Sequence, residues 1–491
     1  MKVKQDKASL RSKTARGSSP ATTPTVTEWT ASQLVSDVLK GLSEDGSRYV
    51  ARASGRLDVM GGSAEYSGSL VLNMTVADHV CAAVQRRDDG HISIATVLPT
   101  DSGSDRPTVF EQAQLWDGKG HCPSPGERRS LWGGAGGDTT GRVAGSLVGL
   151  LAAKLIPNLG GGLSVVVGST MEELGDLGQE AALGAAVLAA TTRAMDVQLD
   201  PLEAGKALHA VEPGWFSAPV AMADIVGVLV GEPRTLIQVQ CEPCKLVGSL
   251  RLPDDLTLMG IDCGTTHAQA KKKYEHVRTS AFMGRILIDR ILRHEGFHHL
   301  QWDGRLSRVS VTDYVQRFRN RIPTKIKGRE FLDRFGETGD SLTRIDPDVV
   351  YKVRSRTEHH IYEHDRAHQF VECLSRAIRN RDKHALCDAG ELMYASHWSY
   401  GQRCGLGSIE TDLLVNLLRR HGAEADVYGA KVTGLGCGGV VAVFMRTSER
   451  ATAAVDQAIQ DYQAHTGRKA KLIHACSPGV LVAGGRGDQL T

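Results

Sequence analysis

Between Leu163 and Met195 the sequence passes from a short apolar run to a glycine-bounded loop and then to an alanine-rich segment. That order constrains the fold more than any other stretch of the chain. The spacing predicts a strand over 163–167, a loop over 168–178 and a helix over 179–195, where alanine and leucine, the strongest helix formers, dominate. A glycine loop running into a helix puts N–H donors beside a backbone that can approach an anion without a Cβ clash.

The remaining elements do not alternate strictly. Leu34, Val35, Val38 and Leu42 fall on one face of a helix over 30–42. Residues 49–60 and 65–85 read as strands around the turn Gly61-Gly62. Helices are expected over 142–155, over 201–210 and after Pro219. Strand-like runs at 235–240, 244–251 and 257–261 precede helical stretches at 279–294, 365–379 and 409–421. Strands at 440–445 and 480–482 flank a helix over 449–466. This mixture predicts an α+β, mixed α/β fold rather than a doubly wound sheet. A chain of 491 residues is long enough for two core-bearing lobes. The expected division is a basic tail without order over 1–28, an N-terminal domain over 29–235 and a C-terminal domain over 236–491.

Composition excludes several classes. Apolar residues at 41% and charged residues at 23% do not fit a mainly disordered chain. A net charge of +2 gives no global pull toward nucleic acid or an anionic membrane, so neither is expected as a partner. No apolar run reaches the ~18 residues that span a bilayer. The first residues lack the apolar core of a secretory signal, so a cytoplasmic protein is expected. The ten cysteines are scattered. Cys241-Glu-Pro-Cys244 is a lone pair, and a zinc site would need two further ligands at recognisable spacing.

Two more segments carry chemistry. The first is Ala53-Ser-Gly-Arg-Leu-Asp-Val-Met-Gly-Gly-Ser-Ala-Glu-Tyr-Ser-Gly68, and the second is Gly429-Ala-Lys-Val-Thr-Gly-Leu-Gly-Cys-Gly-Gly439. With the loop before residue 179 they resemble, in order and separation, the three motifs of the GHMP kinases. Within that superfamily the likeness is to the galactokinase and L-arabinokinase branch. It runs from about Tyr49 to the C-terminus and includes Gly260-Ile-Asp-Cys-Gly264, Phe282-Met-Gly-Arg285 and Gly405-Leu-Gly-Ser408.

The resemblance implies a two-lobed fold with the site between the lobes and an ATP-dependent sugar kinase, acting as a monomer or homodimer on a small-molecule sugar. It makes Asp224 the catalytic aspartate and Arg56 the catalytic arginine. Glu65, Ser63, Asp58 and Gly62 become sugar contacts, Glu212 the Mg²⁺ ligand, and Gly175, Gly178, Gln179, Gly434, Gly436 and Gly438 the ATP-binding positions. The physical requirements agree. The enzyme must hold a hydroxyl in line with a γ-phosphate and neutralise the surrounding charge. A carboxylate can orient or deprotonate that hydroxyl. Read by itself, Asp224 near a helix start also fits an N-cap.

The phosphate loop departs from the family pattern. Gly178, Gln179 and Glu180 stand where relatives carry three serines, and Glu172, Glu173 and Asp176 add carboxylates. A carboxylate ~4 Å from a phosphate charge is repelled by about 4 kcal/mol at an effective dielectric of ~20. ATP binds normally only if these side chains turn away or metal ions intervene. The alternative is a catalytically weakened or silent relative that binds sugar. Gly62-Ser63 also replace the Glu-His of galactokinases, which argues against galactose more than against a kinase.

Other constellations have plainer readings. His294-Glu-Gly-Phe-His298 fits a zincin pattern, but Gly296 weakens the helix that pattern needs. The segment from Arg356 to Arg366, with His359, His360 and Glu363, is expected to be a buried hydrogen-bonded network rather than a metal site. The basic stretch 317–327 lacks interleaved aromatics and reads as a solvated face.

Overall fold

The computed structural model describes residues 31–97, 106–117, 123–132, 139–171, 174, 176–215, 220–265, 270–296, 303–475 and 477–480. In chain order the elements begin with α1 (Ala31–Lys40), β1 (Arg48–Met60), β2 (Leu70–Arg86), β3 (His91–Thr96) and β4 (Thr108–Glu111). Helices α2 (Gln112–Leu115), α3 (Pro125–Trp132) and α4 (Thr139–Ala152) lead to β5 (Gly162–Ser169), α5 (Gln179–Ala194), α6 (Pro201–Trp215) and α7 (Met222–Val230). Strands β6 (Thr235–Gln240), β7 (Lys245–Arg251) and β8 (Leu256–Asp262) are followed by α8 (Ala270–His294) and α9 (Val311–Asp313). Then come β9 (Ile326–Lys327), α10 (Gly328–Phe335), β10 (Val350–Tyr351), α11 (Val353–Asn380), α12 (Lys383–Ser399) and α13 (Ile409–His421). The last are β11 (Val427–Val432), β12 (Val440–Arg446), α14 (Glu449–Thr466) and β13 (Lys471–His474).

The expected mixed α/β architecture is present, with two main sheets. The seven-stranded one runs β4-β3-β5-β2-β6-β7, with β1 paired to β2. Strand β2 is its axis. It carries β1 along its whole length, and on its other edge β6 pairs with Leu70–Asn73 and β5 with Val80–Arg86. The second sheet runs β11-β12-β8-β13. Strands β6 and β7 lie in the first sheet, which therefore continues past residue 235 to Arg251.

Helix α5 lies against β1 and β2, and its residues from Ala181 to Thr192 are all buried. A helix buried on every side needs small residues so that neighbours can close on it, which is why this segment is alanine-rich. The largest core cluster draws on both sheets, joining Leu57, Leu72 and Val165 to Phe370, Phe444 and Val440. Among the described residues no helix is long and apolar enough to cross a membrane.

Several expected boundaries shift for physical reasons. The strand expected from residue 65 starts at Leu70, because Gly62–Ser67 form a 3₁₀ turn closed at Gly68 in the left-handed region, with φ 78°. Helix α11 starts at Val353 rather than 365. Its first half buries His359, His360 and Glu363, and polar residues in a core position hide the apolar period. Helix α12 has no counterpart in the expected elements. Its core face mixes Leu386, Met393 and Tyr394 with small and polar residues, Ala385, Ala389, Gly390, Ser396 and Ser399, which dilute the hydrophobic period. Strand β13 is four residues at a sheet edge and only partly buried. Val480 lies in a turn, and the rest of the strand expected over 480–482 falls outside the described residues.

Gly390 and Gly429 face each other where α12 crosses β11, and a Cβ on Gly390 would run into the carbonyl oxygen of Tyr428. Because backbone cannot yield as a side chain can, Gly390→Ala is expected to cost about 2–3 kcal/mol. A urea titration showing an unchanged midpoint would contradict this packing.

Candidate active site

The site is built from a bulge. The register of β1 on β2 slips between Ser54 and Arg56, and a bulge of this kind re-aims the side chain that follows it. The Arg56 N–H donates to Leu177 O at 2.7 Å, so the strand is pinned to the loop ahead of α5. A Cβ at Gly55 would press on that loop, 2.9 Å from Leu177 O. The Arg56 guanidinium is buried and grips Asp224 with two parallel bonds, Nε to Oδ1 at 2.6 Å and Nη2 to Oδ2 at 2.7 Å. The same group donates to Asp176, Nη1 to the carbonyl oxygen at 3.1 Å and Nη2 to Oδ1 at 3.0 Å.

Asp224 is the third residue of α7, and the N-cap position belongs to Ala221. The N-cap alternative is therefore not met. A first-turn carboxylate is still favoured by the helix dipole. Two carboxylates share one guanidinium, and their pKa values part accordingly. Burial holds Asp224 above the ordinary carboxylate value even against Arg56, and the charges of Asp176 and Asp58 push the same way. Asp176 is only partly buried; desolvation opposes its charge, but Arg56 and the N–H of Leu435 hold it below the ordinary value. Burial opposes the charge on Arg56, yet Asp176 and Asp224 outweigh it and raise its pKa.

The turn Gly62–Ser67 carries Glu65 toward this pair. Its entry residue Gly61 has φ 92°, and a Cβ there would strike Leu70 O. Burial pushes the Glu65 carboxyl up to about 8, helped by the charge of Asp224 and opposed by Arg278. Among the described residues no group hydrogen-bonds that carboxyl. A raised carboxyl pKa has a definite sign. Above about 4.5 the unfolded chain loses this proton while the folded chain keeps it until about 8, so folding stability falls as pH rises across that window. We expect Glu65→Gln to gain melting temperature relative to the parent chain as pH is raised from 5 to 8.5. A gap that shrinks would contradict it.

Helix α11 holds the turn from behind. The Ser63 hydroxyl bonds His359 Nε2 at 2.6 Å, and the Ser63 N–H donates to Tyr400 Oη at 3.1 Å. His360 Nδ1 donates to Arg356 O at 2.7 Å, which leaves Nε2 to accept from the Tyr66 hydroxyl at 2.7 Å. Burial keeps His360 neutral, its pKa pushed down to about 4. Glu363 Oε1 accepts from Gly61 N at 3.3 Å and from Ser396 Oγ at 2.6 Å, while Arg366 pairs with Oε2 at 2.7 Å. The segment from Arg356 to Arg366 is thus a buried hydrogen-bonded network, as its sequence suggests. Ser63 and Asp58, expected as sugar contacts, have their polar atoms taken by the protein. Asp58 is buried, accepts from Gly62 N at 3.1 Å, and lies 3.6 Å from Lys431 Nζ. Gly62 is committed through the same bond.

The phosphate-loop positions divide. Gly178 stands at the start of α5 with φ 72°, and a Cβ there would lie 3.0 Å from Arg56 Cγ. Gln179 opens the helix, where the first N–H groups have no intrahelical partner. Glu180 is exposed and borders a small hollow lined also by Arg142, Ser146 and Leu208. The second glycine turn has positive φ at Gly434, Gly436, Cys437, Gly438 and Gly439. Its Leu435 N–H donates to Asp176 Oδ2 at 2.9 Å, so Asp176 ties the two glycine turns together. Glu172, Glu173 and Gly175 lie outside the described residues. So does the side chain of Glu212, whose backbone is in the last turn of α6.

Sequence reasoning misses Lys431 and Tyr400 as supports of the site. Lys431 is fully buried, and the Tyr400 hydroxyl donates to Asp58 Oδ2 at 3.3 Å. A lysine inside the apolar run Val427–Val432 is the one available signal. The zincin-like Glu295 instead pairs with Arg317 at 2.7 Å and with Arg321. Among the described residues no cluster of three or more metal-ligating side chains exists.

No family model matches the chain. An L-arabinokinase of Arabidopsis thaliana is 29% identical over 480 residues, covering 88% of this chain and 46% of that protein, so the chain spans about half its relative's length. A crystal structure of Lactococcus lactis galactokinase complexed with galactose superposes with a TM-score of 0.67 at 16% identity, covering 91% of this chain and 98% of that one. The Methanococcus jannaschii mevalonate kinase gives a TM-score of 0.53 at 11% identity, covering 88% of this chain and all (100%) of its own. In fold this chain therefore resembles the GHMP kinases, and in sequence it is similar over most of its length to an L-arabinokinase.

Proposed function

We propose that this chain is an ATP-dependent sugar kinase that phosphorylates the anomeric hydroxyl of a monosaccharide, L-arabinose-like or galactose-like, to a sugar 1-phosphate. The observation that carries the reading is the buried two-bond pairing of Arg56 with Asp224 at the mouth of α5. The similarity to an L-arabinokinase and the fold shared with a galactose-bound galactokinase support the substrate class. A cytoplasmic monomer or homodimer fits the same reading.

Asp224 orients the sugar's hydroxyl and takes its proton. A pKa held above the ordinary carboxylate value makes the ionised carboxylate a stronger base. Arg56 holds that carboxylate in place and stabilises charge that builds on the transferring group. Glu65, on its turn beside the pair, binds the sugar's other hydroxyls. The first N–H groups of α5 and the glycine turn Gly434–Gly439 are the donor set for nucleotide phosphates, a chemistry that fits them. Bound ATP would supply the γ-phosphoryl group, and Glu212 is the residue assigned to Mg²⁺.

An ADP-release assay over pentoses, hexoses and uronic acids tests this. Turnover with one or a few sugars is expected, and silence with every sugar would sink the proposal. One observation favours the second reading, a sugar-binding relative with little turnover: Asp176 already occupies donors that phosphate would use. Calorimetry with Mg·ATP separates the two, since a silent relative shows no binding at millimolar nucleotide.

A further inference from the structure

The Asp176 carboxylate has three partners from three places in the fold. Oδ1 accepts from Arg56 Nη2 at 3.0 Å and from Gly178 N at 3.3 Å, and Oδ2 accepts from Leu435 N at 2.9 Å. They belong to β1, the start of α5 and the second glycine turn. These are an arginine and two backbone N–H groups at glycine turns, the donors that hold a phosphate oxygen. The turn is shaped around this carboxylate, since a Cβ at Gly434 (φ 61°) would run into it. The Asp176 side chain is 31% exposed while that of Arg56 is 4% exposed. The carboxylate can therefore be displaced toward solvent while the arginine stays with Asp224.

We infer that Asp176 is a tethered anion that competes with nucleotide phosphate for these donors, and so sets how weakly this chain holds a nucleoside triphosphate. The inference rests on the sugar-kinase reading and deepens it. A bound triphosphate places its oxygens on the Leu435 and Gly178 N–H groups only after the carboxylate has left them. The remaining charge then repels the phosphate from nearby. Asp176 is thus a specificity-determining residue for the anion, distinct in effect from the Arg56–Asp224 pair, whose loss removes chemistry.

The test is calorimetry of Mg·ATP on the full chain and on Asp176→Asn and Asp176→Ser. Both variants are expected to bind at least about tenfold more tightly than the parent, the scale that removal of one facing charge produces. In the ADP-release assay the KM for ATP should fall while the KM for the sugar stays. A merely structural role would not split the two in that way. Folded variants that bind Mg·ATP no more tightly than the parent would overturn the inference. So would failure of both variants to fold, because a carboxylate that a ligand displaces cannot be one the fold requires. If no form of the chain binds Mg·ATP or releases ADP, the kinase reading falls too. If all forms turn over with equal affinity, only the role of Asp176 falls.

Discussion

Asp224→Asn lowers kcat by about 10²–10⁴-fold and leaves the sugar's Kd within the error of a calorimetric titration. That range is what a positioned general base contributes. Asparagine keeps the size of the side chain and one acceptor for Arg56 but cannot take a proton. The fold should tolerate the change, because Arg56 retains Asp176 as a counter-charge. Asp224 is also held above its ordinary pKa, first by burial. Its ionised form therefore costs the folded chain stability above the unfolded pKa, and the variant should melt no lower than the parent at pH 7. A drop in kcat accompanied by an equal loss of sugar binding would instead make Asp224 a binding residue. Unchanged kcat would remove it from the chemistry.

Lys431→Met should destabilise the fold by about 3–5 kcal/mol, the cost of stranding one member of a buried ion pair. The Lys431 side chain is 0% exposed and that of Asp58 is 2% exposed, with 3.6 Å between Nζ and Oδ2. Methionine fills much of the same volume, so the loss reports charge rather than packing. The prediction has a second arm. Removing both charges in Lys431→Met with Asp58→Asn should recover a large part of the loss, since a neutral buried pair needs no compensation. A double-mutant cycle by urea denaturation measures the coupling. Additive losses would mean that Asp58 finds its compensation elsewhere. Asp58 also receives Gly62 N and Tyr400 Oη, so the single variant should loosen the Glu65 turn and raise the KM for the sugar.

Local order is well expressed in this sequence, and long-range pairing is not. The strand, glycine loop and alanine-rich helix from β5 to α5 follow from residue type and spacing alone. Helices α13 and α14 match their expected limits because their apolar faces and caps lie within the segment. The elements that escape, α12 and the first half of α11, interleave apolar core residues with small and polar ones whose value depends on partners elsewhere in the chain. The same holds for the site. Arg56 and Asp224 are 168 residues apart, and nothing in their spacing brings them together. Only likeness to a family suggests that they meet. Asp176 is readable as one more carboxylate near the phosphate loop. Its tie to Leu435, 259 residues on, appears only when the two glycine turns are folded against each other. Glu180 shows the reverse. Its position in the sequence threatens the phosphate site, yet it is an exposed residue that shares a hollow with Arg142 and Ser146.

If the Arg56–Asp224 pair acts in sugar phosphorylation, the phosphate lands on the anomeric oxygen. Phosphorus NMR of the full chain incubated with Mg·ATP and the sugar that gives the fastest ADP release tests it most directly. A new phosphomonoester signal coupled to the anomeric proton is expected for the parent and, over the same short incubation, not for Asp224→Asn. A phosphate on any other carbon, or the same signal from Asp224→Asn, would contradict it.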